Sequence, residues 1–256
     1  MKNIGLYLHI PFCRSKCPYC DFYSMRADDS IKMQYVSALK NRISADMSDL
    51  VCKADTLYIG GGTPSVLGAR KLGEIVKSAS SFLTKNAEIT VECNPYALSA
   101  DFFKELAQSG VNRISMGLQS ANDGERRALG RLSDSEAVKN AVLNAQNAGI
   151  SNISLDVMLG IPHQTEKTLS ETLDFCISLG VPHISAYILK LEEGTWFYKN
   201  QATLSLPCDD AVADFYLQTC ETLEKNGIMQ YEISNFAKPQ SKSRHNLKYW
   251  NCEEYL

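Results

Sequence analysis

The sequence predicts an α/β fold, a partial (β/α)6 barrel of parallel strands with its helices on the outside. Three observations carry this. Short, β-rich apolar runs alternate with longer amphipathic ones along the chain. Six such strand–helix units follow one another at roughly thirty residues each, the size of a parallel unit with a helical crossover. No linker, low-complexity stretch or repeat divides them before about residue 200. Six units are too few to close an eight-stranded barrel, so the expected sheet is open, with its mouth at the C-terminal strand ends.

In order, Ile4 to Ile10 reads as the first strand, followed by a cysteine-bearing loop and a helix from about Ser30 to Leu50. Thr56 to Ile59 is the second strand, then glycines and a helix over Ala69 to Leu83. Glu88 to Glu92 is the third; its helix opens at Ser99, an N-cap type, and stops at Gly110. Arg113 to Leu118 is the fourth, with a short helix before Gly130-Arg131. Ser133-Asp134-Ser135-Glu136 then resembles a capping box for a helix ending near Gly149. Asn152 to Leu159 is the fifth strand, with a helix over Glu166 to Leu179 closed by Gly180, and His183 to Leu189 is the sixth. A last long helix covers Asp209 to Lys225. Apolar strands of this kind are expected to be buried on both faces. Residues 1–200 are expected to form the core and residues 201–256 an extension.

The chain has 256 residues, 45% of them hydrophobic, and a net charge of −3. That balance gives no global reason to expect a nucleic-acid or membrane partner. No apolar run is long enough for a transmembrane segment, and Met1-Lys2-Asn3 leads into a strand without a signal-peptide core. Nine cysteines without a disulfide-scaffold spacing suit a reducing, cytoplasmic setting.

Three of them, Cys13, Cys17 and Cys20, stand in a C-x3-C-x2-C pattern on the loop after the first strand. Thiolates select soft centres, iron–sulfur clusters above all, and no fourth ligand follows closely enough for a structural zinc site. Three cysteines on a 4Fe-4S cubane leave one iron open. The other six, Cys52, Cys93, Cys176, Cys208, Cys220 and Cys252, show no ligand pairing and read mostly as small buried hydrophobes.

The remaining chemistry falls at the strand ends. Gly60-Gly61-Gly62-Thr63-Pro64 follows the second strand, where missing side chains let a ligand approach backbone amides, although a tight turn needs the same glycines. Glu92 closes the third strand, Gln119 the fourth, and Asp156 lies within the fifth. An acidic residue in an apolar strand is costly without a partner. Read alone, each is equally a structural hydrogen-bonder; together they suit a zwitterionic, ribose-bearing ligand beside the open iron.

The cysteine pattern and glycine loop on a partial barrel resemble the radical S-adenosylmethionine (SAM) enzymes. Tyr7-Leu8-His9-Ile10-Pro11-Phe12-Cys13, Gly60 to Ser65, Ser115-Met116-Gly117-Leu118-Gln119-Ser120 and Gly160-Ile161-Pro162-His163-Gln164-Thr165 are similar to the oxygen-independent coproporphyrinogen III oxidase family. The resemblance implies a 4Fe-4S cluster on Cys13, Cys17 and Cys20, and S-adenosyl-L-methionine chelated to the open iron and cleaved by one electron from the cluster, which an external donor reduces. It assigns cofactor contact to Tyr7, Gly61, Gly62, Thr63, Glu92, Gln119, Arg131 and Asp156, and more loosely to Lys190. Read alone, Arg131 is equally a solvated charge.

Oxidase-type members carry a further cysteine where this chain has Phe22, which can only pack. Ser243-Arg244-His245-Asn246-Leu247-Lys248-Tyr249-Trp250 offers an imidazole, two rings for a porphyrin plane, and cations for propionates, although a lone histidine is commonly structural. Phe22 with His-Asn-x-x-Tyr-Trp resembles the family's haem-chaperone branch. That implies haem as cargo, with His245 the candidate ligand, and haem-accepting proteins, respiratory enzymes among them, as partners. The alternative is a porphyrinogen-decarboxylating oxidase. His163 and His183 read as structural, and His9 as packing or catalytic. Members of the family continue into a C-terminal domain, so the sequence is expected to be a fragment.

Overall fold

The computed structural model describes residues 3–48, 52–131 and 133–256. Its strands are β1 (Ile4–Ile10), β2 (Ala54–Gly61), β3 (Leu83–Cys93), β4 (Arg113–Gln119), β5 (Asn152–Leu159), β6 (His183–Ile188), β7 (Met229–Gln230) and β8 (Asn235–Ala237). They form one sheet in the order β1-β2-β3-β4-β5-β6-β8-β7. The first six are parallel, and β8 and β7 continue the sheet antiparallel beyond β6. The crossover helices are α1 (Asp29–Ser48), α2 (Ala69–Ala79), α3 (Ala100–Gln108), a short α4 (Asp123–Ala128), α5 (Ser135–Asn147) and α6 (Glu166–Ser178). After β6 come α7 (Trp196–Lys199), α8 (Asp209–Lys225) and α9 (Arg244–Trp250). This is the expected partial barrel, widened by a hairpin that the sequence reading did not assign. The expected end of the first helix at Leu50 lies outside the described residues.

The strands are not apolar on both faces. Leu6 and Leu8, Leu57 and Ile59, Ile89 and Val91, Ile114 and Met116, and Leu155 and Val157 all join the core under the helices. The residues between them are polar and in register across the sheet: Tyr7 opposite Tyr58, Tyr58 opposite Thr90, Glu92 opposite Ser115, Asp156 opposite Ser185. The period is two, and the sequence reading mistook it for continuous apolarity. One face packs on helices and the other lines the interior of the curled sheet. Each fully buried aliphatic side chain on the helix face contributes about 1.5–3 kcal/mol.

Local chemistry sets the boundaries. Ser99 accepts a bond from Phe102 N at 3.2 Å and opens α3 as expected. α5 is capped by Asp134, whose carboxylate accepts from Ala137 N at 2.7 Å, rather than by a capping box on Ser133. Leu83, expected to end the second helix, instead begins β3 after a short 3-10 turn.

Replacing Ser99 by Ala is expected to cost about 1 kcal/mol through the lost cap, and Leu155→Ala about 2–5 kcal/mol through the cavity it leaves. Urea unfolding of the two variants checks both the values and their order.

Candidate functional site

The loop from Pro11 to Asp28 crosses the C-terminal ends of β1 and β2, held by backbone bonds at both of its ends. Cys13 N donates to Met25 O at 3.0 Å and Met25 N to Pro11 O at 2.8 Å. Gly62 N and Thr63 N each donate at 2.8 Å, to Ile10 O and Phe12 O. A Cβ on Gly62 would lie 2.7 Å from the Phe12 carbonyl, so glycine is required for this approach. Gly61 N is taken too, by Glu92 Oε2 at 3.1 Å. The glycine loop therefore spends its amides on the cysteine loop and on Glu92, not on an open ligand surface, which corrects the expectation from sequence.

Cys13, Cys17 and Cys20 are all free and half-buried on this loop. Cys20 N donates to Cys17 O at 3.1 Å across Pro18-Tyr19. Burial pushes the Cys20 thiol up, and the nearby Cys17 and Cys13 push the same way. Among the described residues no three His, Cys, Asp or Glu groups converge on one metal ion. A cubane does not ask for convergence, because each thiolate binds a different iron. Three reduced thiols grouped on one loop fit such a cluster.

Around them stand most of the strand-end residues. Thr63 Oγ1 is 3.5 Å from Cys13 Sγ, and Arg131 Nη1 is 4.0 Å from Cys17 Sγ. Arg131 Nη2 also donates to Gly117 O at 2.8 Å, so the guanidinium ties the cysteine loop to β4. It is a bridge and not a solvated charge. Gln119 takes φ +69 at a bulge in β4, and its amide lies with Arg131 against Gly117, where a Cβ would meet them at 2.7 and 2.8 Å. Glu92 accepts from the Tyr58 hydroxyl at 2.8 Å, yet burial still pushes its carboxyl up to about 7. Asp156 accepts from the Ser115 hydroxyl at 3.2 Å, and burial pushes it up to about 6. The Tyr7 hydroxyl donates to His9 Nδ1 at 3.0 Å, and His9 Nε2 donates to Tyr23 O at 3.0 Å, so His9 ties β1 to the cysteine loop.

Two expected site residues are bonded to partners of their own. Lys190 is exposed and paired with Glu192 at 2.8 Å. His245, on α9, is 1% exposed and bonded through both ring nitrogens, to Thr56 Oγ1 and the Tyr249 hydroxyl, each at 2.8 Å. Burial, with Lys248 and Arg113 beside it, pushes its ring down to about 4. Phe22, expected to pack, is 65% exposed. Of the six unassigned cysteines only Cys93 and Cys176 are buried, while Cys208 and Cys252 are exposed. His183 is structural as expected, bonded at 2.7 Å to both Ser154 and the Tyr231 hydroxyl.

Sequence reasoning missed the cavity itself. A space of about 380 Å3 opens between Tyr7, Tyr58 and Glu92 on one side and Tyr187, Asn235 and Trp250 on the other. It also missed Arg113, fully buried on the polar face, whose Nε and Nη1 have no hydrogen-bond partner. The period-two alternation of β4, read strictly, would have exposed that residue.

Glu92 makes stability fall with pH: folding holds its proton above the ordinary carboxylate range, so the contribution is full below about pH 4.5 and lost as pH rises toward about 7. Asp156 acts in the same direction, and His245, depressed by burial, in the opposite one. Glu92→Gln is therefore expected to flatten the fall by up to about 1.4 kcal/mol per pH unit. The check is the difference between variant and parent in urea unfolding across that window.

Residues 7–176 match the radical SAM superfamily. Over its whole length the chain is 38% identical to the heme chaperone HemW of Haemophilus influenzae and 37% identical to that of Escherichia coli, spanning 68% of each. Among solved structures, the coproporphyrinogen III oxidase HemN of Escherichia coli superposes with a TM-score of 0.84 at 25% identity, over 97% of this chain and 58% of that one. The chain belongs to the radical SAM superfamily and, within it, to the family of the heme chaperone HemW.

Proposed function

We propose that this protein binds a 4Fe-4S cluster on Cys13, Cys17 and Cys20, takes S-adenosyl-L-methionine beside it, and binds haem for transfer to acceptor proteins. The observation that carries the reading is the grouping of three free, half-buried thiols on a loop tied by Arg131 and the glycine loop to the mouth of a polar half-barrel. The likeness to HemW over the whole chain supports the cargo. When bound, the cluster and S-adenosyl-L-methionine supply one-electron chemistry, with an external donor as the electron source.

The chain's own residues do the positioning. Glu92 and Gln119 close neighbouring strands, Asp156 lies within the next one, and together they offer acceptors and a donor to the amino and ribose groups of the nucleotide. Tyr7, Gly61, Gly62 and Thr63 form the wall on the β1–β2 side, where carbonyls and the Thr63 hydroxyl are the groups left to meet it. Arg131 fixes the loop and offers its Nε, which has no partner of its own. Lys190 is left out of this set because its exposed side chain pairs with Glu192. Haem acceptors, respiratory enzymes among them, remain part of the proposal. Among the described residues no helix is long and apolar enough to cross a membrane.

The likeness to HemN favours a second reading, porphyrinogen decarboxylation. Phe22, which stands where the oxidases have a cysteine, speaks against it: a solvent-facing ring supplies neither a ligand nor a proton.

Anaerobic reconstitution is expected to load four iron and four sulfide per chain, and Cys17→Ser to lose most of both; equal loading in the variant would remove the cluster assignment. Haemin added to the loaded protein is expected to give a saturable Soret change, while coproporphyrinogen III with reductant and S-adenosyl-L-methionine yields no protoporphyrinogen. Product formation would reverse the choice between the two readings.

A further inference from the structure

His245 is poorly placed to meet an iron. Besides the bonds that occupy both ring nitrogens, its backbone N donates to Glu88 Oε1 at 3.2 Å, and its ring stacks on Tyr58 with centroids 5.2 Å apart. Freeing a nitrogen would mean leaving the interior of the sheet. One helical turn later, Tyr249 is 40% exposed and lines the same cavity as Trp250, which is 53% exposed. Its hydroxyl rests on His245 Nε2, with the two rings edge to face at 5.1 Å. Phenolate oxygen is an established axial ligand for ferric haem.

We propose that Tyr249, and not His245, is the side chain that binds the iron of ferric haem, with His245 as its buried hydrogen-bond partner. This rests on the haem-binding reading above and adds the identity of the ligand. Hydroxide on the ferric iron takes the phenol proton and leaves as water while the iron–oxygen bond forms, so no further acid or base is needed. His245 stays neutral throughout. It presents Nε2–H to the tyrosine oxygen before and after the proton leaves, while the Thr56 hydroxyl donates to Nδ1 in both states. The two-bonded histidine thus serves either state of the tyrosine without becoming charged. The chief rival is Glu232, a carboxylate of the same cavity whose Oε1 is buried without a partner.

The test is resonance Raman spectroscopy of ferric haemin on the cluster-loaded chain, in parent protein grown with ordinary or ring-deuterated tyrosine, and in Tyr249→Phe and His245→Gln. Iron-bound phenolate vibrations are expected in the parent, shifting with the label, lost in Tyr249→Phe and retained in His245→Gln. The parent measurement needs no variant to fold, and circular dichroism checks those that are made. Haemin bound without phenolate bands, or with bands that survive in Tyr249→Phe, overturns the ligand assignment and leaves haem binding intact. Failure of the parent to bind haemin overturns the haem reading itself.

Discussion

The structure depends on how a curled sheet satisfies the face it cannot give to its helices. With aliphatic side chains committed to the outer layer, the inner face is left with Glu88, Thr90, Arg113, Ser115, Ser154, His183 and Ser185, all of them buried. A buried polar group without a partner costs about 1–3 kcal/mol, so the interior has to be bonded nearly atom by atom. Ser154 meets His183 at 2.7 Å, and Ser185 donates to Asn235 at 2.6 Å. Thr90 Oγ1 and two nitrogens of Arg113 are left without partners, and the Arg113 charge instead draws down the carboxyls of Glu92 and Asp156 that burial raises.

The last stretch of the chain completes this interior. Glu88 accepts the backbone N–H groups of Arg244 and His245, each at 3.2 Å, which satisfies the first turn of α9 with a carboxylate from β3. Lys248, 5% exposed, lies 2.9 Å from Asp55 and 3.2 Å from Glu253. Tyr231 reaches His183 at 2.7 Å while β8 pairs with β6. The segment that carries the haem-chaperone motif is thus built into the wall of the barrel. Tyr7, assigned to the cofactor group, lies 6.3 Å ring to ring from His245. The proposed cofactor mouth and the proposed cargo cavity share a wall.

Much of this was legible in the sequence. The succession of strands and helices, the cysteine loop, and the acidic residues closing β3 and lying within β5 follow from local patterns, because each is written in neighbouring residues. The hairpin of β7 and β8 was not, since strands of two and three residues carry no periodicity. His245 shows the deeper limit. Its residue type and aromatic neighbours were visible, but its partner Thr56 lies 189 residues away in sequence, and that bond holds the ring in the interior of the sheet. The glycine loop misled for the same reason: whether its amides face a ligand or another loop depends on where Phe12 and Ile10 come to rest.

The proposed function requires a cluster at the mouth of this half-barrel with one iron left for a nucleotide. Electron paramagnetic resonance of the reduced, reconstituted protein tests that most directly. Addition of S-adenosyl-L-methionine should change the g-values of the cluster signal, because its amino and carboxylate groups enter the coordination sphere of the open iron. A full cluster signal that stays the same at saturating S-adenosyl-L-methionine would contradict the account.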